Sequence, residues 1–531
     1  MCWSIIYLGG QKMRTLYYNG DILTMENSSY EAVYIEDGII KKCGDYDMLK
    51  KFIPNNTELI DLNNKCLMPA FIDSHSHVVS LAKTLNLVDL SNSTSFKEII
   101  DRFNNYINIT KPEKNKLLIG FGYDHNFLEE RCHPLAKDLD QISYPVMISH
   151  ASGHMGVINT KAMKLFKIDN NVSNPAGGKY GRDENNQLNG YLEEQAFITI
   201  ASKTNETNMD LKEQLLEALK IYASYGITTV QEGYMKEDEF SLLASLAKEN
   251  KLFLDVVGYV DIKDHQKLYQ ENAFYHQYQN HFKLGGYKLF LDGSPQGKTA
   301  WLTRPYLDSG DYCGYPIYKD KEVANYVNYI LQNNVQLITH CNGDRAAKQL
   351  LDAFKNKSTN TRPVMIHCQT LRPDQLPQLK AIEMIPSFFV NHLYYWGDVH
   401  LKNLGQRANQ ISCIHSALKQ ELPYTFHQDS PVIPPNMLES IWCACKRETK
   451  AGIILGKEEQ ISVYNALKGV TINAAYQYFE EGVKGSIKEG KIADLIILDK
   501  NPCKVTIDEI LKINILTTIK EGNVVYFKDI Q

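Results

Sequence analysis

A chain of 531 residues exceeds one small domain and leaves room for a large core with further units attached. Its 44% hydrophobic and 22% charged residues suit a globular protein, and a formal net charge of −5 excludes the basic field that nucleic acid or an anionic membrane would demand. No apolar run approaches the roughly 20 residues of a membrane span.

In chain order, Met1 to Gly10 lack the charged start and long apolar stretch of a signal peptide. Met13 opens a strand-like segment, Thr15 to Tyr18, so residues 1–12 are expected to be an over-long start. Residues 13–68 read as short β segments split by Asn19-Gly20 and Asp37-Gly38 turns, and 482–531 have the same texture. Both ends should therefore assemble one composite β-sandwich domain. Between them, 69–481 alternate strand-like and helical runs, with strands expected at 68–74, 226–233, 252–260, 285–292, 335–341, 362–368, 385–392 and 423–429. Eight such units predict a (β/α)8 TIM barrel with its active site at the C-terminal strand ends. The long connection after the first strand, 95–215, carries strands of its own and reads as an inserted substrate-side subdomain. Eleven cysteines, scattered and without a CxxC pair, favour reduced thiols and a cytoplasmic location; Cys443 and Cys445 read as packing residues.

The first strand ends in Asp73-Ser74-His75-Ser76-His77. Residues two apart share a strand face, so His75 and His77 can both face the barrel interior as a metal-ligand pair. Lys288 interrupts a strand that should be buried on both faces. It is either a charged lysine paired with Asp292 or a neutral amine able to add CO2 and become a metal-bridging carbamate. Two later strands end in His340 and His367, each alone readable as a satisfied polar residue but together with the first pair a ligand constellation. Asp429, at the eighth strand end in Thr425-Phe426-His427-Gln428-Asp429, is either a helix-capping acid or a ligand that takes a proton from activated water. Asp344 and Arg345 read as a structural pair.

These motifs, taken in order, resemble the amidohydrolase superfamily, in particular its amidohydrolase-3 branch, which includes proteins similar to N-substituted formamide deformylase. The resemblance runs from about Tyr17 to Tyr526, including Asn19-Gly20-Asp21-Ile22 and Gly490-Lys491-Ile492-Ala493-Asp494. It implies a barrel carrying one or two divalent metals, usually zinc. His75 and His77 would bind the buried ion, Lys288 would be the carboxylated bridge, His340 and His367 would bind the second ion, and Asp429 would be ligand and general base. Pro69-Ala70 departs from the usual Pro-Gly, and His427-Gln428 precedes Asp429, where a small residue is common just before the acid. The branch also shows runs like 294–300 and 392–398, expected in loops at the catalytic mouth, which makes Gln296, Lys298, Tyr395 and Trp396 candidate substrate-binding residues. His154 is a further candidate, reaching from the insertion.

The expected reaction is hydrolysis of a non-peptide C–N bond in a small-molecule amide, such as an N-substituted formamide or another N-acyl amine. No nucleic acid or membrane partner is expected, and a homodimer is carried as an expectation. A deaminase with a single metal is the rival enzyme; such enzymes lack the bridging lysine, which Lys288 supplies. A catalytically inactive binding protein on the same fold should have lost a ligand, whereas all six positions are filled.

Overall fold

The computed structural model describes residues 14–175, 177–203, 211–357 and 359–529. The expected over-long start at 1–12 lies outside the described residues. The chain forms two compact units. One holds the described residues through Val78, Leu216–Asp429 and the chain from Pro435 onward; the other holds Val79–Leu215 and Ser430–Pro434.

The first unit contains an eight-stranded parallel sheet in sequential order: Phe71–Ile72, Ile227–Met235, Asp255–Asp261, Phe282–Phe290, Gln336–Cys341, Val364–His367, Ile385–Phe388 and Thr425–Phe426. Each expected barrel strand has its counterpart, and sequence neighbours pair throughout. The fold is a TIM barrel. The ring meets itself where the Ser74 hydroxyl, just past the first strand, donates to the carbonyl of Phe426 on the eighth at 2.9 Å. Val, Ile and Phe are the most frequent side chains in these strands, as suits strands covered on both faces. Inside, Ile72, Val257, Tyr259, Ile338, Val364, Ile366 and Ile385 pack with Ala474, Ala475 and Tyr478 from the segment after the eighth strand.

Two terminal sheets flank the barrel sequence. One orders Ile39–Gly44, Ala32–Glu36, Arg14–Tyr18 and Glu58–Asp61; the other orders Asp21–Ile22, Cys66–Pro69, Leu495–Leu498, Ile515–Lys520 and Asn523–Phe527. Tyr17, Val33 and Ile35 from the first sheet bury against Leu67, Leu495 and Ile519 from the second, which makes a sandwich from both termini. Sandwich and barrel nevertheless fall in one unit, so the boundaries expected at 68 and 482 do not separate compact bodies. Charge explains the union. Buried Lys520 and Lys484 reach Asp255 on the third barrel strand at 2.8 and 2.5 Å, and Lys520 also binds Asp494 at 3.0 Å. Removing either partner would leave an uncompensated buried charge.

The second unit carries a six-stranded sheet ordered Gly178–Arg182, Leu188–Glu194, Met155–Ile158, Val146–His150, Leu118–Tyr123 and Val88–Asp89. It begins at Val79 rather than at residue 95, because Val88–Asp89 pairs into this sheet ahead of the expected start.

Candidate metal centre

Six side chains from five barrel strands converge at the C-terminal ends of the first, fourth, fifth, sixth and eighth strands. Lys288 is fully buried, His75 is 1% exposed and His367 3%. Lys288 Nζ lies 3.0 Å from His75 Nε2, and His75 Nε2 and His77 Nε2 each lie 3.4 Å from Asp429 Oδ1. His340 Nδ1 and His367 Nε2 are 3.0 Å apart. Ligands about 2.0–2.2 Å from one tetrahedral ion lie roughly 3.4 Å from each other, so these spacings suit a shared cation. His367 ends its strand and Asp429 follows its own, with φ of 75° and 55°, left-handed conformations that turn each side chain at a strand end.

What surrounds the rings decides which nitrogens face inward. Gln231 donates its amide protons to the Ser74 carbonyl and the Tyr478 hydroxyl, both at 2.8 Å, so its carbonyl oxygen is turned to His75. His75 Nδ1 therefore donates to Gln231 Oε1 at 2.6 Å and leaves Nε2 bare. His77 Nδ1 faces Glu232 at 3.5 Å, and His340 Nε2 lies 3.2 Å from the Gly293 carbonyl and 3.1 Å from the Asn342 amide nitrogen. Ligating histidines are characteristically held in this way through the second nitrogen. Gly233 permits the arrangement, since a Cβ there would stand 2.5 Å from His75 Cε1.

Burial lowers the His75 and His367 rings well below the usual histidine range and keeps them neutral. Burial also opposes protonation of His77, but Asp429 and Glu232 outweigh it and raise that ring to about 9. Burial alone would raise Asp429, yet the His77 hydrogen bond helps hold it well below the usual carboxylate range. Burial lowers Lys288 to about 7, against the pull of Asp429. The donor set is thus neutral imidazoles, an ionised carboxylate, an amine that sheds its proton near neutrality, and a His77 proton held where a cation is attracted. It fits a divalent ion.

The pairing of Lys288 with Asp292, the plain alternative read from sequence, is absent. Asp292 instead accepts the backbone N–H groups of Trp301, Asn342 and Gly343 at 2.9, 2.9 and 2.7 Å. Sequence reasoning passed over Gln231 and Glu232, although two successive polar residues inside a buried strand were a usable signal.

Lys298 Nζ reaches Ser309 Oγ at 3.0 Å, and buried Gln296 Oε1 has no hydrogen-bond partner among the described residues. Tyr395 donates to Glu439 at 3.2 Å, and Trp396, 2% exposed, packs on His392 and Phe389. These last two sit on the helix His392–Leu404, which corrects the loop expected over 392–398. His154 belongs to the second unit and is held by Glu194 at 2.9 Å. Asp344 pairs with Arg372 at 2.6 Å, not with Arg345, which lies over Trp301. In the second unit His150 Nε2 approaches Asp124 at 3.3 Å and His125 at 3.4 Å. The Ser152 N–H donates to His150 Nδ1 at 3.0 Å, so Nε2 carries the proton and this group is a hydrogen-bonded cluster.

With this geometry in hand, the sequence profile of the amidohydrolase family, Amidohydro_3, matches residues 58–526. The chain belongs to the amidohydrolase family. It is 26% identical to YtcJ of Bacillus subtilis over 97% of this chain and all of that protein. The N-substituted formamide deformylase of Arthrobacter pascens is 23% identical over 95% of this chain and 96% of its own length. A metal-dependent hydrolase of Pyrococcus horikoshii, known by its crystal structure, superposes with a TM-score of 0.76 at 25% identity, over 93% of this chain and 99% of that one. As an amidohydrolase the chain is a member of a metal-dependent hydrolase family. Among the described residues, no helix is long and apolar enough to cross a membrane.

Proposed function

We propose that this amidohydrolase cleaves a non-peptide C–N bond in a small-molecule amide, an N-substituted formamide or another N-acyl amine. The observation that carries the reading is Lys288. It is wholly buried among ligand-type side chains, its amine is 3.0 Å from His75 Nε2, and among the described residues no carboxylate forms a salt bridge with it. A deaminase with one ion has no use for a lysine in that place. A lysine lowered to about 7 is substantially neutral at physiological pH, which is the form that adds CO2. Addition of CO2 forms the N–C bond, releases one proton to solvent and would leave a carbamate whose negative charge suits divalent cations.

His75 and His77 would hold one ion and His340 and His367 another, with the Lys288 carbamate and Asp429 as further ligands. Divalent ions, zinc by this reading, make water acidic enough to attack at neutral pH and polarise the amide carbonyl. Asp429 is ionised and turned inward, so it accepts the proton of the attacking water and returns it to the departing nitrogen. Gln231 and Glu232 keep the rings in one tautomer throughout. Gln296, whose buried Oε1 lacks a partner, offers an acceptor to a substrate N–H. The formamide deformylase relative supports the choice of substrate class, and the cysteine pattern supports a cytoplasmic location. A homodimer belongs to the same proposal.

The experiment is a panel of N-formyl and N-acyl amines, with aminated heterocycles as the deaminase control, assayed with and without added zinc. Metal-dependent release of free amine and carboxylic acid is expected. Ammonia release from the heterocycles alone would favour the deaminase instead.

A further inference from the structure

His427 is a buried ring in the centre to which neither the ligand set nor the proton route gives a task. It is fully buried on the eighth strand side, two residues before Asp429. Its Nε2 lies 3.1 Å from His367 Nδ1, and its Nδ1 lies 2.9 Å from Ser387 Oγ. Ser387 Oγ in turn is 3.2 Å from Ser74 Oγ, and Ser74 donates to the Phe426 carbonyl at 2.9 Å. All of these groups are buried, so each must find its partners within the protein.

The protons on this chain can be placed one at a time. A carbonyl only accepts, so the single Ser74 proton goes to Phe426. Ser387 must then be the donor to Ser74; any other assignment leaves that contact without a proton. With its proton spent, Ser387 accepts from His427 Nδ1. A ring with one proton has its other nitrogen bare, so His427 Nε2 accepts from His367 Nδ1. His367 Nε2 is left bare and turned to His340 Nδ1, 3.0 Å away.

We propose that His427 is a positioning residue: through Ser387 and Ser74 it fixes the tautomer of His367, so that His367 offers Nε2 as a ligand without rotating or exchanging its proton. This rests on the metal-centre reading above and deepens it. Ligating histidines commonly use a carboxylate or a backbone carbonyl for this purpose. Here a neutral imidazole does so, which sets direction without adding charge.

The variants are H427L, which removes the acceptor, H427Q, whose amide oxygen can still accept from His367 while its N–H reaches Ser387, and S387A, which removes one hydroxyl. Imidazole 15N–1H correlation spectra of the metal-free full-length protein read the tautomer of His367 directly. Zinc retained after dialysis against a graded chelator reads the affinity. Expected are a pure Nδ1–H tautomer of His367 in the parent and a mixture in H427L and S387A. Zinc affinity should fall about 10- to 100-fold in H427L, with substantial recovery in H427Q. A parental His367 protonated at Nε2, unchanged tautomer and affinity in a folded H427L, or a zinc-loaded structure with His427 itself on the metal would each overturn the proposal. Should H427L fail to fold, S387A decides by the same two measurements. If the parent retains no zinc, the metal-centre reading fails, and the tautomer spectra still decide the role of His427.

Discussion

At the scale of single residues, the proposed chemistry rests on Asp429 and Lys288, and each can be tested without disturbing the barrel. Asp429→Asn nearly keeps the side-chain volume but cannot accept a proton. Turnover of an N-acyl substrate should fall about 10²- to 10⁴-fold. Metal content must be measured alongside, because loss of a ligand would produce the same fall; full metal with near-parental turnover would dismiss Asp429 as the base. For Lys288, removal of CO2 at mildly acidic pH should strip metal and activity together, and bicarbonate with zinc should restore both. Restoration by zinc alone under CO2-free conditions would mean that the free amine suffices. The ligand candidates were legible because histidines and a lysine interrupt strands that are otherwise apolar. Two things were hidden. Lys288 and Asp292 are four apart and would share a face on a continuous strand, but the strand ends at Phe290 and Asp292 turns to bind three backbone N–H groups. The role of His427 depends on Ser74 and Ser387, which are 313 positions apart in sequence and meet only when the barrel closes.

At the scale of elements, the strand ends hold the rings, and the close approach of the second strand to the first sets the tolerance. Gly233 lies where a Cβ would meet His75 Cε1 at 2.5 Å and Nδ1 at 2.8 Å. His75 cannot move aside cheaply, since its Nδ1 is bound to Gln231 and its Nε2 faces Lys288. Gly233→Ala should therefore leave the protein folded by circular dichroism while lowering zinc affinity by about tenfold or more. Parental affinity in this variant would show that the His75 ring is free to shift. The eight barrel strands were readable as apolar runs with polar ends, in chain order. The segment 392–398 was misread because its clustered aromatic and polar residues look like a mouth loop. Leu393, Trp396, His400 and Leu404 in fact fall on one buried helical face.

At the scale of the whole molecule, the centre should couple metal binding to pH and to thermal stability. His77, raised to about 9, carries a proton at pH 7 in the metal-free protein, and an arriving ion must displace it. Lys288, lowered to about 7, adds proton release below neutrality. Zinc affinity should therefore rise with pH, by about tenfold per unit from pH 7 to 9, and level off above the His77 value. An affinity that is flat or falls over this range would contradict the assignment of His77. Saturating zinc should also raise the melting temperature, since a ligand at about 100 times its Kd stabilises the folded protein by about 2.7 kcal/mol. The most direct test of the account is an anomalous-difference map of zinc-loaded crystals at the zinc edge. Density is expected bounded by His75 Nε2, His77 Nε2, Lys288 and Asp429, with a second peak between His340 Nδ1 and His367 Nε2. A map without density at these side chains, from crystals shown to contain zinc, would contradict it.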